Sequence, residues 1–246
     1  MSLFSQNIYG SEKLSILTLN IQCFKNNWKF RLAHILSPII KNGVDIVSFQ
    51  EVCKSKEQNQ IEFIAKFLKK HGYDLKSLAY QFTHKAWDKY DEDLLIFSKH
   101  KAQKIKRGFL PWSPLQRAYV ALKINDVWYV NIHLEHKKEY YKYRRDQIHF
   151  LVKEFENTDH VFMGDYNSSP QTQEQNELWN KKYKPYFPGP SHLGNDGNAV
   201  RTIDGFWFNY SFRKKLSNIR AKLVYTKKVN NQHLSDHLGV FSIINF

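Results

Sequence analysis

The chain is poor in cysteine and has no long apolar run, and both absences exclude classes of protein. Two of its 246 residues are cysteines, so a disulfide framework is not indicated. With no CxxC pair or His/Cys cluster, structural zinc is not expected. No stretch approaches the ~18 consecutive apolar residues of a membrane helix. MSLFSQNIYGSEK lacks the basic-then-apolar pattern of a signal peptide. These features predict a cytoplasmic protein, with export by a signal-independent route left open.

Cys23 and Cys53 each follow an apolar, strand-like run. Residues in such positions can be neighbours in a folded sheet. Unpaired cysteine is among the most frequently buried residue types. We therefore predict two buried free thiols, with a single disulfide as the alternative.

Acidic residues are few relative to basic ones. Lys plus Arg number 37 against 23 Asp plus Glu, which gives a net charge of +14. This excess predicts a polyanionic partner, with nucleic acid first and an anionic lipid surface or a phosphorylated small molecule as alternatives. No feature indicates a protein partner, and we expect a monomer.

The hydrophobic pattern alternates between strands and helices. Apolar runs predict strands at 13–21, 44–50, 93–99, 118–124, 127–134, 160–165, 204–208, 218–226 and 237–246. Helical spacing predicts helices near 28–42, 57–71, 138–156 and 172–181, the first interrupted by Pro38. Asn125-Asp126 predicts a hairpin turn, and 183–202 is expected to be irregular. Without repeats or linkers, we predict one α/β domain over 1–246, with helices covering the faces of mixed sheets.

Polar side chains recur where apolar strands end or begin. They are Asn20, Glu51, His133, Asp165, Asn167, Asp204, Asp236 and His237. Each alone has a structural explanation, such as a turn or a satisfied core histidine. Together they suggest a site, because a carboxylate flanked by buried strand residues is costly unless it is paired or metal-bound. Carboxylates and amides without thiolates suit Mg²⁺ or Mn²⁺, and histidines suit proton transfer. The set predicts metal-assisted attack of water on a phosphate ester.

Six motifs occur in a fixed order along the chain. They are TLNI with Asn20, FQEV with Glu51, NIHLEH with His133, then GDYN, TIDGFWF and LSDH. In this order they resemble the endonuclease/exonuclease/phosphatase superfamily, also called deoxyribonuclease I-like, from Leu17 to Val240. The resemblance implies a four-layered α/β sandwich with two mixed β-sheets packed face to face and helices outside. It also implies a divalent-metal phosphoesterase with its site at one edge of the sheets.

The resemblance carries a metal site and a water-activating pair onto this sequence. Glu51 is implied as the main metal ligand, assisted by Asn20, and Asp236 as a further carboxylate of the metal site. Asp165 matches the residue that positions or deprotonates the attacking water. Asn167 matches its partner, which orients the phosphate and the metal.

The remaining carried-over residues concern the phosphate. Asp204 is implied to orient His237, and this pair contacts the phosphate and assists proton transfer. His133 matches a histidine that binds the phosphate or helps to protonate the leaving group. We also expect Arg117, which opens a strand, to contact the phosphate.

Other residues depart from the family pattern or lie beside it. Gln22 stands where exonuclease III-type members have an aspartate, which argues against an abasic-site endonuclease. Arg144, Arg145 and Gln147 are expected to belong to a structural helix surface. His136 and His192 lie near a motif and in a loop, and we expect both to be peripheral.

Three functions are consistent with these sequence features. The motifs and the charge favour a phosphodiesterase acting on nucleic acid, either a nuclease or an enzyme of DNA or RNA ends. The same chemistry could act on a phospholipid or phosphoinositide, as in sphingomyelinases, with the charge attracting an anionic membrane. An inactive binding module is the lesser alternative, since none of the motif residues is lost.

Overall fold

The computed structural model describes residues 13–246, and the segment considered for a signal peptide lies almost wholly outside them. The strands are β1 (Lys13–Asn20), β2 (Ile46–Lys54), β3 (Ser77–Ala86), β4 (Tyr90–Ser98), β5 (Lys104–Phe109), β6 (Ala118–Ile124), β7 (Val127–His133), β8 (Asp159–Asp165), β9 (Lys184–Tyr186), β10 (His192–Leu193), β11 (Ala199–Arg201), β12 (Asp204–Phe208), β13 (Asn218–Val224) and β14 (Gly239–Asn245). The helices are α1 (Trp28–Lys41), α2 (Gln60–Lys70), α3 (Tyr141–Glu154), α4 (Asn176–Asn180) and α5 (Tyr210–Arg213). No helix within 13–246 combines the length and apolarity needed to cross a bilayer.

The strands form two six-stranded sheets and one short hairpin. The first sheet has the order β13-β14-β1-β2-β4-β3, the second β5-β6-β7-β8-β12-β9, and β10 pairs with β11. Each large sheet is mixed, because β1 and β2 are parallel in one and β7 and β8 in the other, while their remaining neighbours are antiparallel. The predicted mixed-sheet fold is confirmed.

Alternating strand residues separate the layers. In β8, Val161 and Met163 point into the core between the sheets, whereas Phe162 packs in the core beneath α3. Leu32 and Ile35 of α1 pack with the outer face of the first sheet. The order is therefore helices, sheet, sheet, helices, as the four-layered sandwich requires.

Of two local predictions, the hairpin turn at Asn125-Asp126 is confirmed and the helix interruption at Pro38 is not. Asn125 and Asp126 both have positive φ, 50° and 63°, as a tight hairpin turn of the type I′ class requires, so the predicted turn is confirmed. The predicted interruption at Pro38 is wrong, since α1 continues through Pro38 to Lys41. Pro38 lies in the last turn, where the missing N–H removes only one bond of the helix.

Five strands of the structure were not predicted from the sequence. The 183–202 segment, expected to be irregular, contains β9, β10 and β11. β9 is an edge strand that pairs with β12 through backbone hydrogen bonds. The prolines in this segment gave no indication of a strand. The strands β3 and β5 were also missed, because few of their residues are buried and neither has a continuous apolar run.

The two cysteines are neighbours as expected, but the prediction of free thiols is wrong. Cys23 and Cys53 form a disulfide with a Cα–Cα distance of 5.1 Å. The loop after β1 runs beside β2, where the Cys23 N–H donates to the Glu51 carbonyl at 3.0 Å. This register brings the two thiols together, and the sequence alone does not specify it.

Candidate active site

The predicted site residues converge because parallel strands end at the same edge of each sheet. Asn20 is the last residue of β1, His133 of β7 and Asp165 of β8. Asp165 is in register with His133 on one side and with Asp204 of β12 on the other. Three predicted residues therefore stand in a row at one edge of the second sheet, facing the end of β1.

Two backbone irregularities aim side chains at this edge. Glu51 has a φ of +53° and lies in a bulge, where Gln50 and Glu51 together oppose Leu94 of β4. Asn167 also has a φ of +53°, and its N–H donates to Asp165 Oδ1 at 2.8 Å. Positive φ is unfavourable for residues other than glycine and clusters at functional sites. At Glu51 and Asn167 this backbone conformation turns the side chains towards the edge.

Gly164 allows β8 to approach β7 closely. Its φ is +153°, and a Cβ at this position would lie 2.0 Å from the carbonyl oxygen of Ile132. Only glycine fits such a contact. The next side chains then diverge, because Tyr166 is buried beneath the helices while Asp165 and Asn167 line the active-site cavity.

Asn20 joins the carboxylates of the two sheets. Its Nδ2 donates to Glu51 Oε1 at 2.9 Å and to Asp165 Oδ2 at 3.2 Å. Its Oδ1 accepts the backbone N–H of Gln22 at 3.1 Å. In this orientation Asn20 offers N–H groups to the carboxylates and holds them in place.

His237 lies between two carboxylates. Its Nδ1 is 2.8 Å from Asp204 Oδ2, which also accepts from Ser191 Oγ at 2.7 Å, and its Nε2 is 3.7 Å from Asp165 Oδ2. Burial alone would lower the pKa of His237, but Asp204 and Asp165 outweigh it and raise the pKa to about 10. Burial and the charge of Asp204 raise the pKa of Asp165 to about 7. These shifts favour an imidazolium on His237 and make the Asp165 carboxylate a stronger base than a solvated one.

His133 has the opposite character. Arg117 Nη1 is 3.2 Å from its Nδ1, and Asp165 Oδ2 is 3.5 Å from its Nε2. Burial and the Arg117 charge hold the pKa of His133 well below its usual range. Because a guanidinium only donates, Nδ1 must accept, and the ring proton lies on Nε2, facing the cavity.

The structure adds Glu92, which the sequence reading missed. Its Oε1 lies 3.8 Å from His133 Nδ1 and 3.9 Å from Arg117 Nη1. Burial and the nearby Glu51 raise the pKa of Glu92 to about 8. Glu92 occurs in the acidic run YDED, which resembles a solvated turn. The one sequence feature that could have indicated a site residue here is that this acidic run leads directly into the apolar strand LLIF.

A cavity of about 510 Å³ is lined by Glu51, Glu92, Arg117, His133, Asp165, Asn167 and His237, together with Asp236, His136 and His192. Both histidines, which were expected to be peripheral, thus line the cavity. The His192 ring lies edge-to-face on the His237 ring, with centroids 4.9 Å apart. Backbone pairing between His192 and His237 produces this contact, and such long-range pairing leaves no local sequence signal.

The cavity fits a divalent cation. Glu51, Glu92, Asp165 and Asp236 all line it. Burial raises the pKa of Glu51, and the neighbouring Asp236 adds to this effect despite the Asn20 hydrogen bond. Among the described residues, Glu92 Oε1 and Asp204 Oδ1 are buried without a hydrogen-bond partner. Ligand atoms of His192, Asp236 and His237 also lie within 4.8 Å of one another. An oxygen-rich, thiolate-free set that buries several like charges suits Mg²⁺ or Mn²⁺.

Comparison with known families decides the classification. The model of the Endonuclease/Exonuclease/phosphatase family matches residues 17–237. The chain belongs to this family. Its members are hydrolases of phosphoester bonds and generally use divalent metals. No curated protein matches the sequence at a significant level.

Solved structures share the fold. An endonuclease/exonuclease/phosphatase family protein from Leptotrichia buccalis has a TM-score of 0.78 at 17% identity, covering 95% of this chain and 100% of that one. The family protein from Bacteroides thetaiotaomicron gives 0.70 at 15% identity, covering 95% and 98%. D. rerio TDP2 complexed with a single-strand DNA product gives 0.66 at 15% identity, covering 96% and 100%. Identities this low show the endonuclease/exonuclease/phosphatase fold alone.

Two side chains of α3 hold the loop that follows His133 in place. Arg144 and Gln147, expected on a helix surface, are buried, whereas Arg145 is exposed. Arg144 pairs with Glu174 at 2.9 Å and donates to the Glu135 carbonyl at 3.0 Å. Gln147 accepts the Glu135 N–H at 3.1 Å. The structural role is as expected, but these side chains fix the loop that follows His133 and do not form a surface.

Proposed function

We propose that this chain is a divalent-metal-dependent phosphodiesterase that acts on nucleic acid. One observation carries the proposal. Asn20 links Glu51 to Asp165, and the imidazolium of His237 faces that same Asp165 in one cavity. A metal-binding carboxylate, a proton acceptor and a cationic phosphate contact are the parts that hydrolysis of a phosphodiester requires.

Glu51 and Asp236 are the residues that would hold Mg²⁺ or Mn²⁺. Asn20 assists by fixing the Glu51 carboxylate through its amide N–H. When bound, the cation would neutralise charge on the phosphate and make the phosphorus more electrophilic.

Asp165 takes the role of proton acceptor for the attacking water. Burial and the charge of Asp204 raise the pKa of Asp165, which makes its carboxylate a better proton acceptor. Asn167 is fixed beside it, since its Nδ2 donates to the Leu134 carbonyl at 3.0 Å. The second N–H of the same amide remains for a phosphate oxygen.

Two cationic groups and one neutral histidine complete the set. The His237 imidazolium, oriented by Asp204, and the Arg117 guanidinium stabilise the charge that develops as water attacks. His133 is neutral and carries its N–H on Nε2, which can donate a hydrogen bond to the leaving oxygen while the ring keeps its proton. This division assigns the protonated and the neutral histidine to different oxygens of the phosphodiester.

Nucleic acid is the substrate class that the charge and the relatives favour. The net charge of +14 attracts a polyphosphate backbone. One structural relative, D. rerio TDP2, binds a single-strand DNA product. The phosphodiesters of DNA and RNA satisfy both observations.

A substrate panel tests this choice. The purified chain with Mg²⁺ or Mn²⁺ is incubated with single-stranded DNA, single-stranded RNA, plasmid DNA, 5′-tyrosyl DNA, sphingomyelin and phosphoinositides. We expect a higher kcat/KM on one of the nucleic acids than on either lipid, and the rate should fall as salt rises. Faster hydrolysis of a lipid would overturn the nucleic-acid assignment.

A further inference from the structure

We propose that a single strand of nucleic acid runs through the active-site cavity and continues on both sides of it, so that the enzyme cleaves internal phosphodiesters. This inference rests on the proposed function and adds how the polymer lies. Two further cavities adjoin the active-site cavity and share residues with it. We name them the tyrosine groove and the lysine pocket.

The tyrosine groove, of about 580 Å³, is lined by Lys138, Tyr141, Val200 and Arg201 among others. It shares Asn167 and Arg201 with the active-site cavity. Its one acidic lining residue is Glu174, whose carboxylate pairs with Arg144. Lys138 and Arg201 are exposed, and no ion pair of either is found among residues 13–246. The groove is therefore a cationic continuation of the site.

The lysine pocket, of about 630 Å³, lies on the first sheet and is lined by Lys54, Lys56, Lys85 and Lys89 together with Tyr90. It shares Lys85 with the active-site cavity. Lys85 pairs with Asp91 at 2.9 Å and Lys54 pairs with Asp93 at 3.3 Å, so the cationic excess of the pocket comes from Lys56 and Lys89 against Glu57. Loops of the second sheet build the tyrosine groove and strands of the first sheet build this pocket. The cationic track therefore leaves the active site towards both sheets.

An exposed aromatic ring flanks each exit. Trp87 is 58% exposed and lines the active-site cavity next to Lys85, with Lys25 Nζ 4.9 Å from its ring centre. Tyr141 is 39% exposed and lines the tyrosine groove. Aromatic rings alternating with cations form a binding path for unpaired bases and their phosphates. Bases within a duplex do not expose their faces, so the occupant is a single strand.

This arrangement bears on where the strand is cut. An enzyme that only trims ends needs a stop at one side of the scissile phosphate. Here the cavity continues past Arg201 in one direction and past Lys85 in the other. A strand without a free end can therefore occupy the site.

The test compares circular strands, which have no ends, with a linear strand and a small phosphodiester. Circular single-stranded DNA, circular single-stranded RNA, a linear strand of the same sequence and bis(p-nitrophenyl) phosphate are each incubated with the enzyme and Mg²⁺ or Mn²⁺. We expect one or both circles to be linearised at a rate similar to internal cuts in the linear strand. Intact circles alongside loss of terminal nucleotides from the linear strand would overturn this inference and leave the proposed function standing, whereas hydrolysis of bis(p-nitrophenyl) phosphate alone would overturn both this inference and the nucleic-acid assignment. Failure on every substrate would overturn both.

Variants on both sides of the site give a second readout. Trp87→Ala and Tyr141→Ala should each raise the KM for the circular strand about five- to hundredfold, the range for loss of one stacked base. The KM for bis(p-nitrophenyl) phosphate should rise much less. Tyr210→Ala is the matched control, because Tyr210 is 46% exposed but follows β12 at the end opposite Asp204. Equal changes on both substrates, or an effect at only one of the two positions, would contradict a track on both sides.

Discussion

His237 Nδ1 lies 2.8 Å from Asp204 Oδ2, and both side chains are buried. The carboxylate fixes which ring nitrogen faces the cavity and keeps the imidazole protonated. Asp204 thus acts through His237 and is a positioning residue. The pair connects β12 of the second sheet to the loop before β14 of the first, so the site depends on how the two sheets pack.

Replacing this carboxylate should alter the pH profile. In Asp204→Asn, His237 loses the charge that raises its pKa, so the imidazolium is lost at lower pH. We expect kcat to fall about 100-fold at neutral pH and the alkaline limb of the kcat profile to move to lower pH. Asp74→Asn, at a residue exposed on the surface, is the control. A slower variant with an unmoved alkaline limb would show that Asp204 has only a structural role.

The close approach of β8 to β7 makes Gly164 sensitive to substitution. Gly164→Ala would place a Cβ against the Ile132 carbonyl oxygen. We expect the free energy of unfolding in urea to fall by about 3 kcal/mol or more. Gly72→Ala is the matched control, because Gly72 also has positive φ, +76°, but its Cβ would meet nothing within 4 Å. Equal losses in the two variants would show that backbone strain and not the contact determines the cost.

The disulfide should contribute to stability. It closes a loop between Cys23 and Cys53, 30 residues apart. The chain-entropy relation predicts a loss of about 3 to 4 kcal/mol in the free energy of unfolding for the Cys23→Ala, Cys53→Ala double variant. Thermal unfolding of the wild type with and without reductant gives the parallel measurement. A reductant that lowers the Tm of the double variant as much as that of the wild type would contradict this account.

The same disulfide bears on the compartment. Structural disulfides persist in oxidising environments and are rare in the cytosol of most organisms. The bond therefore weighs against the cytoplasmic expectation drawn from the N-terminal sequence. Labelling of thiols in the intact source cells would show which state the pair has there.

His160 should make stability depend on pH. Its Nδ1 is 2.9 Å from the Thr158 carbonyl and its Nε2 is 2.6 Å from the Tyr183 hydroxyl, and burial lowers its pKa to about 4. The folded-state pKa is below the unfolded one, so the unfolded chain binds the proton first. This contribution is intact above pH ~6.5 and is lost as the pH falls towards 4, by up to about 3 kcal/mol.

Paired variants isolate this effect. His160→Gln should show a smaller loss of stability than the wild type between pH 6.5 and 4.5, measured by urea unfolding. His149→Gln, at a residue whose side chain is 68% exposed, should follow the wild type. Parallel curves for His160→Gln and the wild type would refute the assignment.

The sequence predicted the layers and the site better than the connections between them. Apolar runs locate the interior strands, and the ends of parallel strands bring Asn20, His133 and Asp165 together. Glu92, by contrast, is a site residue only because β4 pairs with the bulged β2. Its own neighbours in the sequence resemble a solvated turn.

Contacts between distant segments were the least predictable. Whether Cys23 meets Cys53 depends on the register between a loop and β2, and whether His192 meets His237 depends on one backbone bridge. Neither is encoded in local spacing. Edge strands such as β5 were missed for a related reason, since alternating exposure weakens their apolar pattern.

Glu51 is the residue proposed to hold the divalent cation with which the enzyme hydrolyses a phosphodiester. The most direct measurement is hydrolysis of bis(p-nitrophenyl) phosphate by the wild type, Glu51→Gln and the surface control Glu62→Gln, with Mn²⁺ binding followed by calorimetry. EDTA should abolish wild-type activity and added Mg²⁺ or Mn²⁺ should restore it. Glu51→Gln should lose at least about 100-fold in kcat and bind Mn²⁺ at least about tenfold more weakly. Activity that survives EDTA, or a Glu51→Gln variant that matches Glu62→Gln in both rate and Mn²⁺ affinity, would contradict the account.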